Sequence, residues 1–246
     1  MIALAYKFSK SFGPTDSVAG TKTTVGSSYV IPPGQYAIKK IHVSKGNVVN
    51  AKENAGVITI EITGVDGTYQ YAYGNGTGGA TNGGPAGPAE EIECLVSAPG
   101  GSTLTVSITD AEAATAAVVS LDFFDGSGRV DSYSTGGAGK DPAAATELTV
   151  GTITVTKGGR IKQIRYACGQ LVDGTSASGK LVLEVPGLAG PFEYAVGNGC
   201  SGATLGGAAL ADIIDVDIPV GTNVIITVKV TYTDAMDSAT ISLAVA

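Results

Sequence analysis

One segment of this chain occurs twice. Residues 71–84 read YAYGNGTGGATNGG and residues 194–207 read YAVGNGCSGATLGG, so 10 of 14 positions agree at an offset of 123 residues. Self-similarity at a fixed offset sets the number of structural units before any strand is assigned. Each copy occupies about half of the 246 residues, and a unit of about 120 residues can bury a core of its own.

The repeat extends well beyond this segment. The same offset relates Ile38, Lys39, Ile41, Gly46, Glu61 and Gly64 to Ile161, Lys162, Ile164, Gly169, Glu184 and Gly187. Downstream the offset drifts by a few residues, so that Pro99, Gly101, residues 109–111 and residues 120–121 correspond to Pro219, Gly221, residues 233–235 and residues 242–243. The sequence therefore predicts an internal duplication that gives two tandem copies of one fold.

The periodicity within each copy is two residues. Ile58, Ile60 and Ile62 alternate with polar residues, as half-buried strands do. Strands are expected near residues 3–7, 28–31, 36–44, 57–63, 68–73, 90–96, 103–109 and 117–124, and the second copy repeats the pattern with seven or eight. A parallel α/β sheet is excluded, because no amphipathic stripe supplies its crossover helices.

About eight antiparallel strands per copy predict an all-β chain of two jelly-roll-like β-sandwiches, with an immunoglobulin-like sandwich as the alternative. We place the first at residues 1–126 and the second at 127–246, joined by a Gly- and Ser-rich linker at about 125–142. Part of that linker, Arg129 to Tyr133, could instead be a first strand that mirrors Leu4 to Phe8.

Charge and hydropathy limit the possible partners. Lys and Arg are scattered singly and the net charge is −7, which disfavours nucleic-acid binding. No apolar run approaches the roughly 18 residues of a spanning helix, so we expect no membrane insertion. The first seven residues lack a basic region and a longer apolar core. We therefore expect no signal peptide here: the chain folds where it is made, or a signal was removed.

Three cysteines, Cys94, Cys168 and Cys200, are an odd number without the spacing of a zinc site. We expect all three to be free and mostly buried. A bridge between Cys168 and Cys200 is the alternative.

Two features superficially suggest chemistry. His42, the single histidine, lies on the polar side of a predicted strand, and its repeat partner is Arg165, so a solvated surface histidine is favoured over acid–base catalysis. The Gly-rich segment 74–79 precedes neither a helix nor a Walker lysine. It is interpreted as a tight turn around Asn75-Gly76, repeated at Asn198-Gly199.

Acidic residues near the last strands could in principle bind calcium. Asp110 and Glu112 are echoed by Asp234 and Asp237, but their spacing matches no EF-hand. Hydrated turn residues are the favoured interpretation, and the same holds for Asp122, Asp125 and Asp131.

Two features of the sequence could indicate glycosylation or sugar binding. Asn75-Gly76-Thr77 is a glycosylation sequon, but Cys200 replaces the threonine in the second copy. Tyr69, Tyr71 and Tyr73 could form a sugar-stacking face. Since the counterparts are Phe192, Tyr194 and Val196, a role in the core or between the sheets is favoured.

Two fused, mutually similar β-sandwiches without a catalytic constellation resemble the tandem jelly-roll structural proteins of icosahedral virus shells, which include capsid, penton and turret proteins. The resemblance covers the whole chain at the level of architecture. It implies a virion protein that forms a homo-oligomer, a trimer or a pentamer, contacts other structural proteins of the particle and binds no cofactor.

The sequence thus predicts a structural protein with no catalytic, cofactor-binding or metal site. An extracellular filament or surface-layer subunit is one alternative, and a carbohydrate-binding module is another. An enzyme is the weakest hypothesis, because one histidine and no paired carboxylate motif offer little to assemble.

Overall fold

The computed structural model describes residues 5–46, 55–74, 89–111, 113–168, 178–197, 211–236 and 238–246. The secondary structure of these residues is entirely β, in 17 strands. The strands are β1 (Tyr6–Thr15), β2 (Thr23–Thr24), β3 (Tyr29–Val30), β4 (Gln35–Ser44), β5 (Gly56–Ile62), β6 (Gln70–Tyr73), β7 (Glu90–Pro99), β8 (Thr103–Asp110), β9 (Ala117–Asp125), β10 (Asp131–Gly137), β11 (Leu148–Val155), β12 (Gly159–Cys168), β13 (Gly179–Glu184), β14 (Phe192–Val196), β15 (Asp212–Val220), β16 (Val224–Tyr232) and β17 (Ala239–Val245).

The strands form two sandwiches with the same strand order. In the first sandwich one sheet has the order β1-β9-β4-β7 and the other β2-β8-β5-β6, with β3 also paired to β8. In the second sandwich the orders are β10-β17-β12-β15 and β11-β16-β13-β14. All strand pairs are antiparallel. Two facing antiparallel sheets of this strand order make a jelly roll, so the predicted fold class is confirmed.

Each sandwich has its own core between its two sheets. In the first, Ile58, Ile60 and Ile62 of β5 face inward, as the alternation predicts, and pack with residues of the opposite sheet such as Ile41 and Leu121. The second core is built in the same way, by residues such as Ile164, Leu183 and Val228.

Even an irregularity of the sheets recurs. The pairing of β4 with both of its neighbours shifts between Ile38 and Lys40, so Lys39 is bulged. The pairing of β12 shifts between Ile161 and Gln163, which makes Lys162 the equivalent bulge 123 residues later. Because a bulge bends the strand locally, the two sheets share this bend.

Two strands differ from the sequence prediction. The first strand was expected at residues 3–7, but β1 covers Tyr6–Thr15, because its polar residues pair with β9 along most of their length. The two-residue β2 was not expected, because Thr23 and Thr24 carry no apolar alternation and are held by pairing with Ile108 and Ser107.

The segment 125–142 is not wholly a connection. Strand β10 lies inside it and pairs with β17 from Asp131↔Val245 to Gly137↔Ala239. The alternative interpretation, a first strand at Arg129 to Tyr133, overlaps β10 at residues 131–133. The boundary near residue 127 stays a prediction.

In the described ranges no helix has the length and apolar character needed to cross a membrane.

Candidate functional site

The two sandwiches meet where an edge strand lies on a sheet face. Strand β6 is the last strand of its sheet, and its outward backbone groups meet β10, β17 and β12 of the second sandwich. Ser132 N–H donates to the Thr68 carbonyl at 2.7 Å, and Ser132 Oγ donates to the Gln70 carbonyl at 2.5 Å. Ala72 N–H donates to Ser242 Oγ at 2.9 Å. An open edge is a template for pairing, and here the chain covers it itself.

A glutamine side chain continues this contact. Gln70 Oε1 accepts hydrogen bonds from the backbone N–H of Ser134, at 3.2 Å, and from its hydroxyl, at 3.1 Å. The N–H of Val130 also donates to the Leu95 carbonyl at 2.8 Å. The contact between the sandwiches is therefore polar and specific in register.

A buried ion pair sits at one end of the contact. Arg165 of β12 pairs with Glu90 at the start of β7, and only 4% and 3% of these side chains are exposed. Arg165 Nε also donates to the Ala72 carbonyl at 3.1 Å, and Gly74 N–H donates to the other Glu90 oxygen at 2.9 Å. Burial lowers the pKa of the Arg165 guanidinium, while Glu90 opposes this effect.

The contact explains why polar outer-face residues of the second sandwich are buried. Ser132, Thr240 and Ser242 have exposed fractions of 1% or less. Strand alternation points them away from their own core, and the first sandwich then covers them. Neither this contact nor the pairing of Arg165 with Glu90 is predicted from the sequence. The available signal is that serines recur at matching positions of both halves.

A second buried polar cluster surrounds Asp110 at the end of β8. Its carboxylate accepts hydrogen bonds from Lys45 Nζ at 2.8 Å, Tyr73 Oη at 2.5 Å and Ser17 Oγ at 2.6 Å. The side chains of Lys45 and Asp110 are fully buried, and Nζ lies 4.7 Å from the centre of the Tyr73 ring. The prediction of a hydrated turn residue at Asp110 is wrong, because the carboxylate closes this end of the first core.

The other acidic candidates are dispersed. Asp131 is 6% exposed and forms a bidentate pair with Arg129, so the hydrated interpretation is wrong for it as well. Asp125 pairs with Lys7 at 2.6 Å, and Asp234 is half-buried. Glu112 and Asp237 lie outside the described residues. In the part of the chain that the structure describes, no three or more His, Cys, Asp or Glu side chains are grouped as for a metal ion.

His42 lies on the outer face of the β1-β9-β4-β7 sheet, on the polar side of its strand as predicted. Its side chain is 32% exposed, with Nε2 3.2 Å from Asp122 Oδ2 and Nδ1 3.8 Å from Glu91 Oε2. Two carboxylates from the neighbouring strands therefore flank the imidazole.

The tyrosine face is buried, as the favoured interpretation had it. Tyr69, Tyr71 and Tyr73 are 2%, 3% and 0% exposed and belong to the first core, so none of them offers a stacking platform.

Two of the three cysteines lie among the described residues. Cys94 is free and partly buried, and burial raises the pKa of its thiol. Cys168 is 1% exposed, with its Sγ 3.6 Å from Tyr232 Oη. Cys200, Asn75-Gly76-Thr77 and Asn198-Gly199 lie outside the described residues, as does nearly all of segment 74–79.

One surface depression was considered as a possible catalytic pocket. It has a volume of about 490 Å³ and is lined by Ser178, Lys180 and Tyr232 among others, with Lys180 as its one charged side chain. It does not bring together an acid, a base and a nucleophile.

The comparisons with known proteins add likenesses of overall shape. No protein-family model and no curated protein matches the sequence. Among solved structures, the crystal structure of the STIV MCP, a major capsid protein, aligns over 99% of this chain and 96% of that chain, with 10% identity and a TM-score of 0.45.

Two further structures align at lower scores. A tandem CBM22 domain from Paenibacillus barcinonensis gives 13% identity and a TM-score of 0.25, over 100% of this chain and 99% of that one. A chain of the atomic structure of Sulfolobus Turreted Icosahedral Virus aligns with 11% identity and a TM-score of 0.23, over 96% of this chain and 58% of that one. With TM-scores below 0.5, these likenesses say nothing about function.

Proposed function

We propose that this protein is a structural subunit that assembles with copies of itself, as a capsid, vertex or turret component of a virus particle. The chain acts as a scaffold and not as an enzyme, and its jelly-roll sandwiches belong to a fold that virus shells use widely. The repeat supports an origin of the two sandwiches by duplication of one assembling unit.

The mode of contact between the two sandwiches carries the proposal. An edge of the first lies on a face of the second, which is a head-to-tail contact between like units. Such a contact leaves one edge and one face of the pair unused, so a further copy can add in the same manner. Repetition gives a closed ring where the rotation closes and an open filament where it does not.

A free edge and a free face can be named among the described residues. There, strand β14, the counterpart of β6, has β13 as its one strand partner. The outer face of the β1-β9-β4-β7 sheet carries Ser9, Ser11 and His42, all of which reach solvent. If repetition of the contact closes a ring, we expect a trimer or a pentamer within a particle. If it builds an open filament, we expect an extracellular filament or a surface-layer subunit.

Mass photometry of the purified chain over a range of concentrations, at pH 5.5 and pH 8.0, tests the proposal. A closed oligomer of three or five copies, or a growing series of lengths, is expected under at least one condition. A monodisperse monomer under every condition of concentration, salt and pH would refute it.

A further inference from the structure

We propose that β14 of one copy docks on the outer face of the β1-β9-β4-β7 sheet of a second copy, in the register of the internal contact, and that this docking requires protonated His42. The inference rests on the proposed self-assembly. It adds which surfaces meet and what controls their meeting.

The register follows from the strand pairing. Gly56↔Tyr73 and Val57↔Ala72 of the first sandwich recur as Gly179↔Val196 and Lys180↔Ala195 in the second. Gln70 and Ala72 of the docked strand therefore correspond to Glu193 and Ala195 of the open one. Both Glu193 and Ala195 are exposed.

A carboxylate next to the end of β14 is held as Glu90 is held next to the end of β6. Gly74 N–H donates to Glu90 at 2.9 Å in the docked copy. Gly197 N–H donates to Asp212 Oδ2 at 3.1 Å in the open copy, where Asp212 begins β15 as Glu90 begins β7. The second sandwich thus presents a carboxylate fixed in the same way as the one that binds Arg165.

The receiving face repeats the serines of the internal contact. Ser134 pairs with Ser242 in the second sandwich, and Ser11 pairs with Ser120 in the first. Two residues before Ser134 and Ser11 lie Ser132 and Ser9. These correspondences place Ala195 N–H of one copy against Ser120 Oγ of the next, as Ala72 N–H lies against Ser242 Oγ.

The ion pair is where the two faces differ. His42 replaces Arg165, so Asp212 of one copy would face an imidazole that is charged only when protonated. The flanking positions also differ: Arg165 has Ile213 opposite it on β15, whereas His42 has Glu91 opposite it on β7. The strand on the other side differs too: β9 of the first sandwich has Asp122 where β17 of the second has Ala244.

Among the described residues, the charged groups near His42 come from three strands. They are Lys40 on its own strand, Glu91 and Glu93 on β7, and Asp122 on β9; β1 contributes the Ser9 hydroxyl, which donates to Asp122. Lys40 Nζ is already paired with Glu91 Oε1 at 2.5 Å. Docking adds the negative charge of the Asp212 carboxylate to this acidic group, and a neutral imidazole carries no charge to balance it.

The direction of the pH dependence follows. Docking brings the Asp212 carboxylate to His42, and this carboxylate is attracted by a charged imidazole but not by a neutral one. Association is therefore favoured at pH 5.5, where a histidine is charged and carboxylates remain ionised, and weakens as the pH rises. With one proton per contact, the dissociation constant rises by at most about tenfold per pH unit.

Four chains compared by mass photometry at pH 5.5 and 8.0 test the proposal: the natural chain, His42→Arg, Ser120→Arg and the control Thr152→Arg. Thr152 is an exposed residue of β11, the strand at the opposite edge of its sheet from β14. We expect the natural chain and Thr152→Arg to associate at pH 5.5 and to be at least tenfold weaker at pH 8.0. We expect His42→Arg to associate at both pH values, and Ser120→Arg at neither.

Ala195→Pro tests the other side of the contact and keeps the experiment decisive if Ser120→Arg misfolds. Proline removes an N–H that points away from β13, which an edge strand tolerates. It should abolish association while leaving the far-UV circular dichroism unchanged.

The outcomes separate the two proposals. Association that persists in Ser120→Arg and Ala195→Pro would overturn the docking surface and leave self-assembly standing. Unchanged pH dependence in His42→Arg would overturn the role of the imidazole. A natural chain that is monomeric at both pH values would overturn both proposals.

Discussion

The buried pair between Arg165 and Glu90 gives a quantitative test of the contact between the sandwiches. Glu90→Gln keeps the shape of the side chain and an acceptor for Gly74 N–H, but it leaves Arg165 as a buried cation without a counter-charge. Since only 4% of the Arg165 side chain is exposed, water cannot replace the lost partner. Removing one member of such a pair costs about 3–5 kcal/mol.

Equilibrium unfolding in urea measures this loss. With a slope of up to about 3 kcal/mol per molar urea, the midpoint should fall by about 1 M or more. The matched control is Glu61→Gln, which breaks the Lys22–Glu61 pair at 2.7 Å between side chains that are 47% and 56% exposed. An exposed pair of this kind contributes at most about 1 kcal/mol.

A double variant separates the pair from its burial. Replacing both residues by methionine removes both charges and fills the space with apolar atoms, so it should be much less destabilising than Glu90→Gln. If Glu90→Gln shifts the midpoint no more than Glu61→Gln does, the pair is not buried between the sandwiches, and the reasoning about their contact fails.

Three further predictions concern single sites. Lys45→Met leaves the Asp110 carboxylate buried without its cation and should lower the free energy of unfolding by about 3–5 kcal/mol in urea titrations; an effect below about 1 kcal/mol would contradict the buried cluster. Arg160 and Lys162 lower the pKa of the Asp217 carboxyl, so its stabilisation is present at neutral pH and is lost as the pH falls through that lowered value: the difference in melting temperature between the natural chain and Asp217→Asn should shrink below about pH 4, and a difference that grows there would be contrary to this sign. Because burial raises the pKa of Cys94, its thiol should stay protonated at pH 8 and react slowly with a thiol reagent in the folded chain, as peptide mass spectrometry can measure; labelling as fast as in urea would show that the thiol is open.

The strands and the cores could be predicted because alternation reports which side of a strand is apolar. Ile58, Ile60 and Ile62 face inward for this reason. Alternation does not predict what contacts the polar side of a strand. Arg165 and His42 occupy matching positions of the repeat, yet one is buried by a neighbouring sandwich and the other is partly exposed. Alternation alone does not distinguish them.

Asp110 shows a second limit. A carboxylate at the end of a strand next to a turn normally stays in water, which led to the hydrated interpretation. Its burial depends on Lys45, Tyr73 and Ser17, which come from distant parts of the chain. Such long-range convergence leaves no local pattern in the sequence.

Cryo-electron microscopy of the assembled protein at pH 5.5 shows directly which surfaces of neighbouring copies meet. We expect neighbouring copies to touch as the two sandwiches of one chain do, with β14 of one copy across the β1-β9-β4-β7 face of the next. Particles whose copies meet through other surfaces, or a field of single chains, would contradict it.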